Sequence, residues 1–178
     1  DGLATLMVDK TPFECEWLEE ISLPAESKEA LLAFQKKVDR LRKATDAAGE
    51  VLEEDKKRLQ FIEAAIKSYP DLNVKLIEKV KVLDKIRDDI SISMFGDPSL
   101  SKRDLEQNES ISSKVGIVIW NMWRNRSEPT ETNKMLYENA SSGFKQVISQ
   151  MTKLDIEIKG LEKYLEEKEV PFTPGRGL

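Results

Sequence analysis

Residues 31–69 read LLAFQKKVDRLRKATDAAGEVLEEDKKRLQFIEAAIKSY. Within them Leu31, Phe34, Val38, Leu41, Thr45, Ala48, Leu52, Asp55, Leu59, Ile62, Ile66 and Tyr69 fall alternately three and four residues apart. All but Thr45 and Asp55 are apolar or small, and only a helix facing other helices needs this spacing. A second stripe of the same kind runs Tyr137, Ala140, Phe144, Val147, Met151, Leu154, Ile158, Leu161 and Leu165. The two stripes predict an all-α fold: an elongated three- to four-helix bundle.

Working outward, Pro24 precedes a capping Ser27, with Glu26 and Glu29 placed favourably for the helix dipole. The first helix is expected over 27–69, about 65 Å long at roughly 1.5 Å per residue. Gly49 should weaken it locally. Thr45 and Asp55 read as polar seam positions that set the register of the bundle. After Pro70-Asp71, the residues Leu76, Val80, Leu83, Ile86, Ile90 and Met94 predict a second helix ending at Phe95, before Gly96-Asp97-Pro98.

Residues 97–109 form a polar connection. Ile111, Val115, Val118 and Met122 then keep helical spacing through the most apolar patch of the chain, so a helix is preferred there over a strand despite the β-branched residues. Arg124 to Pro129 is a turn, and Thr130 caps a last helix running to about Glu169. Helices two and three with their connection match either terminal helix in length. The match favours three layers with an interrupted middle member, and four packed helices are the alternative.

The N-terminal residues differ. Phe13, Cys15 and Trp17 alternate with Glu14 and Glu16, the period of a half-buried strand. Residues 1–24 are therefore expected to form a β-hairpin-like remnant or arm of a preceding β domain, residues 25–170 the helical bundle, and residues 171–178 a proline- and glycine-rich tail.

Composition bounds the chemistry. The chain has 178 residues, 28 Lys and Arg against 33 Asp and Glu, no His and one Cys. A near-balanced charge argues against a dedicated nucleic-acid surface, which needs a concentrated basic face. Without histidine the usual neutral-pH base and commonest transition-metal ligand are missing. No catalytic, metal-binding or cofactor-binding residue is expected: there is no calcium-binding, phosphate-binding or nucleophile-elbow motif. The helices mix both charge signs, as at Lys75, Glu78, Lys79, Lys81 and Asp84, so no membrane contact is expected.

Glu53-Glu54-Asp55 and Asp88-Asp89 read as solvated faces, with Glu54 and Arg58 an ordinary i,i+4 surface pair. Trp120 and Trp123, flanked by Arg124 and Arg126, are the one candidate contact for a ligand or partner, since an aromatic pair beside arginines can stack on a sugar ring or a base. Against that, the surrounding Ile and Val argue that the pair plugs the core at the bundle end.

Three short motifs carry a resemblance. They are Leu6-Met7-Val8-Asp9-Lys10 through Leu23-Pro24, the run Ile111-Ser112-Ser113-Lys114-Val115 with Pro129-Thr130 before a helix containing Tyr137, and Val170-Pro171-Phe172-Thr173-Pro174-Gly175. In order and spacing the chain resembles the C-terminal region of bacterial sortilin-like proteins, whose Vps10/BNR-repeat β-propellers are often labelled glycosyl hydrolases. It departs from that pattern at Lys10, where glycine is usual, and at Gly116, where a larger apolar residue is common.

The resemblance implies that any ligand site lies on a propeller outside this chain and that the parent is exported to the periplasm or cell surface. The expected role is a non-catalytic accessory module that spaces or docks domains, its partners being other domains of the parent. The alternatives are a free-standing coiled-coil-like interaction protein, completed by a protein partner or as a homodimer, and a glycoside-hydrolase-associated domain with an unfamiliar carboxylate site.

Overall fold

A computed structural model describes residues 12, 14, 25–69, 74–103, 108–124 and 127–170. The expected β-like arm over 1–24 and the tail over 171–178 lie outside them, apart from Pro12 and Glu14. Helices are α1 (Lys28–Ser68), α2 (Val74–Phe95), α3 (Pro98–Ser101), α4 (Ile111–Arg124) and α5 (Glu131–Glu167). The described residues contain no strand.

The helix ends obey local capping chemistry. Ser27 Oγ accepts from the backbone N–H of Ala30 at 3.1 Å and Thr130 Oγ1 from that of Asn133 at 3.2 Å, each satisfying an amide that the first turn leaves unpaired. Ser110 does the same for α4, accepting from Ser113 N–H at 3.1 Å. Within the polar connection the structure adds the single turn of α3, which sequence spacing did not indicate. Asp97 caps it through Ser99 N–H at 2.8 Å and Pro98 occupies its first position. At the end of α5, Glu169 takes a positive φ of 55° while Val170 N–H donates to Leu165 O and its side chain is buried, the six-to-one closure of a Schellman motif.

Three layers result, with the middle one interrupted. α1 and α5 run parallel: Phe34 and Tyr137 meet edge-to-face at 5.5 Å near their starts, and Arg58 meets Glu162 near their ends. α2 and α4 return antiparallel and succeed one another along the bundle. The α2 terminus places Phe95 at Gly49 midway along α1, α4 begins with Ile111 against Gly143, and it ends with Asn121 bonded to Asn133.

One core of buried residues runs the length of the bundle, and the α1 stripe holds almost residue for residue. Leu31, Val38, Leu41, Thr45, Ala48, Leu52, Asp55, Leu59, Ile62 and Ile66 are buried, with Phe34 and Tyr69 half-buried against the core. Thr45 is satisfied within its own helix, its hydroxyl donating to Leu41 O at 2.9 Å.

Along α2 the expected register fails at one place. Ile86 is 40% exposed and Arg87 3%. The inward positions are Val80, Leu83, Arg87, Ile90 and Met94, a regular spacing of three and four that carries an arginine inward. Its guanidinium turns back to Asp84 at 3.0 Å and to Asp88. A long side chain can bury its stem this way while its head finds carboxylates at the rim.

Candidate functional site

Two groups of side chains stand apart from the apolar core. The first is α4. Its inward face is Ile111, Val115 and Val118, with Met122 half-buried. Two residues beyond Val118 the helix has turned about 200°, so Trp120 points away from the core. Trp120 is 61% exposed and Trp123 83%, which overturns the expectation that the pair plugs the bundle end. The stripe expected from helical spacing, Ile111, Val115, Val118 and Met122, is the inward face, and Trp120 and Trp123 fall off it; the apolar content of the patch, not its periodicity, is what suggested their burial.

Beside Trp120 lies a cleft of about 310 Å³ lined also by Asn121, Pro129 and Asn133. Asn133 is buried and its amide oxygen accepts from Asn121 Nδ2 at 2.9 Å, tying the end of α4 to the start of α5. The Arg124 side chain and the whole of Arg126, expected beside the two tryptophans, lie outside the described residues.

The second group is an ion cluster between α1 and α5. Arg58 donates from Nε and Nη2 to the two carboxylate oxygens of Glu162 at 2.9 and 2.8 Å. Its Nη1 reaches Asp55 at 2.9 Å and Asp155 at 3.2 Å, and Lys159 holds the other oxygen of Asp155 at 2.7 Å. The expected surface pair of Arg58 with Glu54 does not form: Glu54 is exposed, and Arg58 turns inward to Asp55. The Glu53-Glu54-Asp55 run is thus split, with Asp55 buried and Glu54 left to solvent.

Electrostatics differ across the cluster. Burial pushes the Asp55 carboxyl above the ordinary aspartate value, and Arg58 offsets only part of that. Its Oδ2 is buried without a hydrogen-bond partner. For Asp155 partial burial also acts upward, but the hydrogen bonds from Lys159 and Arg58 outweigh it and hold the carboxyl below its ordinary value. The Glu162 fork, despite the burial that opposes it, keeps Arg58 firmly charged.

Reading the chain missed Glu162, Asp155 and Arg58 as a unit. One signal was available: a carboxylate in register on an apolar stripe, as Asp55 is, requires a cation within reach, and Arg58 lies at i+3 from it. Its partners on α5 are 97 and 104 residues away in sequence and leave no local trace.

The cluster ties α1 to α5. Its carboxylates are engaged with cations rather than facing each other across a cleft, as glycoside hydrolysis requires. Among the described residues no group of three or more Cys, Asp or Glu is arranged to hold a metal ion, and no helix is long and apolar enough to cross a membrane. Compared with known proteins, the chain matches no family model, no curated protein and no solved structure.

Proposed function

We propose that this chain is a non-catalytic structural module, a stiff spacer that holds its two flanking segments at opposite ends of a rod. One observation carries the reading: the bundle makes an odd number of passes. α1 leads from one end to the other, α2 and α4 together return, and α5 crosses again parallel to α1. Ala25 and Val170 therefore lie at opposite ends, separated by about 60 Å at roughly 1.5 Å per residue of α1.

Stiffness comes from the core. A 41-residue helix alone in water bends and frays; here its inward face is packed throughout against the two other layers. The Arg58 cluster adds register, because a parallel slip of α5 by one turn would part the fork from Glu162 and leave buried charges unpaired. The resemblance to sortilin-like proteins extends the proposal to context: an accessory module behind an exported β-propeller, docking or spacing its domains.

Spin labels at Glu29→Cys and Glu167→Cys, in a Cys15→Ser background, test the spacer directly. A narrow distribution centred at about 50–60 Å supports it, and a short or broad one overturns it. The size of the native gene product tests the context. A species much heavier than 20.3 kDa in an exported fraction supports an accessory module, whereas a product near 20.3 kDa removes that role. Turnover of glycosides by the folded chain would refute the non-catalytic assignment.

A further inference from the structure

The outward face of α4 has an order that neither the core nor the spacer role requires. Ser113, Gly116, Trp120 and Trp123 succeed one another at spacings of three, four and three, forming a second seam on the side away from the core. Small residues occupy its first half and indoles its second. A Cβ built at Gly116 meets no atom within 4 Å, so nothing among the described residues demands a glycine there. In all of α4 only Lys114 and Arg124 are charged, in a chain whose residues are 34% charged. Exposed helices of such proteins normally carry charge outward, and a charge-depleted, aromatic face is the composition of an interface core.

We infer that this face pairs with a second copy of itself, the two α4 helices lying antiparallel about a two-fold axis beside Val118. The numbering carries the choice of partner. In an antiparallel pair centred there, Trp120 of each copy faces Gly116 of the other, and Trp123 faces Ser113. Each indole thus meets a position with a small side chain or none, and the same patch serves both copies, as a two-fold interface demands. A parallel pair would set indole on indole and glycine on glycine, wasting both. The half-buried Ile117 and Ile119 flank the seam.

Size sets the strength. An aromatic side chain buries about 150–250 Å², so two indoles 61% and 83% exposed contribute on the order of 300 Å² per copy. With the flanking isoleucines the interface falls in the small class, about 1,000–1,200 Å² in total. The dimer is therefore reversible, with a Kd between about 1 and 100 µM. It uses the outer face of α4 rather than the main seam, which the chain's own helices bury, and it does not depend on the spacer role.

Sedimentation velocity over a dilution series is the test, on the wild type and on two variants that leave the core untouched. Gly116→Leu fills the receiving position and Trp120→Ala with Trp123→Ala removes the indoles. The wild type should move reversibly from 20.3 kDa to twice that mass. Each variant should weaken the dimer at least tenfold while its circular dichroism and thermal midpoint show it folded. A wild type still monomeric at roughly 1 mM overturns the inference and leaves the face to a different protein. A dimer indifferent to both variants overturns it equally.

Discussion

Replacing Arg58 by methionine keeps an unbranched apolar stem in the α1–α5 interface and removes the charge. Asp55, 2% exposed, and Glu162, 7% exposed, then lose their cation, while Asp155 keeps Lys159. Removing one partner of a buried ion pair costs about 3–5 kcal/mol, because the remaining charge is stranded. That is a large share of the roughly 5–15 kcal/mol that holds a domain folded. The loss depends on pH with a definite sign. Burial already holds the Asp55 carboxyl above its ordinary value, and losing Arg58 removes the charge that opposes this, so its folded pKa rises further above the unfolded one of about 3.9. Its protonated form is spared the cost of a stranded charge, so this part of the destabilisation is absent well below the unfolded value and grows as pH rises through it toward the folded one. Urea unfolding followed by circular dichroism measures it. With a slope of about 2 kcal/mol/M, the midpoint should fall by roughly 1.5–2.5 M at pH 7, and by much less near pH 4.5. A cost below about 1 kcal/mol at pH 7, or one that does not change between the two pH values, would refute the argument that this cluster is a buried, mutually dependent unit.

Three further comparisons probe separate parts of the structure. Asp55→Asn exchanges one unpaired buried atom for another and keeps an acceptor for Arg58. Because burial already disfavours the Asp55 charge, the variant should change stability at pH 7 by less than about 1 kcal/mol, far less than Arg58→Met; a loss above about 3 kcal/mol in the same urea assay would show the charge itself to be needed. Gly49→Ala places a methyl 2.7 Å from Phe95 Cζ, so the gain of about 1 kcal/mol in helix propensity should appear in full only when combined with Phe95→Ala. A double-mutant cycle reads the difference, and strict additivity would deny the close approach. Trp123→Ala should leave monomer stability within about 0.5 kcal/mol, as for an exposed residue, whereas Ile158→Ala at 0% exposure should cost about 2–5 kcal/mol; thermal melts at dilution separate them.

The four longer helices and their limits were legible in the chain because local interactions define them, whereas the single turn of α3 was not. Ser27 and Thr130 act on amides three residues away, and the α1 and α5 stripes repeat over enough turns for one face to be unambiguous. The interrupted middle layer was legible from length, since two shorter helices must together span what α1 spans. The inward stripe of α4, Ile111, Val115, Val118 and Met122, was legible too, and Trp120 and Trp123 lie off it and turn outward; only the apolar composition of the patch argued for burying them. Arg87 went inward in place of Ile86 because the face of α2 is set by the geometry of three contacting helices rather than by the hydropathy of each residue.

By itself, then, the sequence determined that this protein is a long helical bundle, where its main helices begin and end, and which residues of α1 and α5 form its core. Tertiary structure alone decided that Arg58 joins Asp55 to Asp155 and Glu162 and that Gly49 makes room for Phe95. The reason is range. Helical periodicity and capping are interactions across three or four residues, whereas the partners of a buried charge or a packed aromatic ring are set by helices that come together in space from distant parts of the chain.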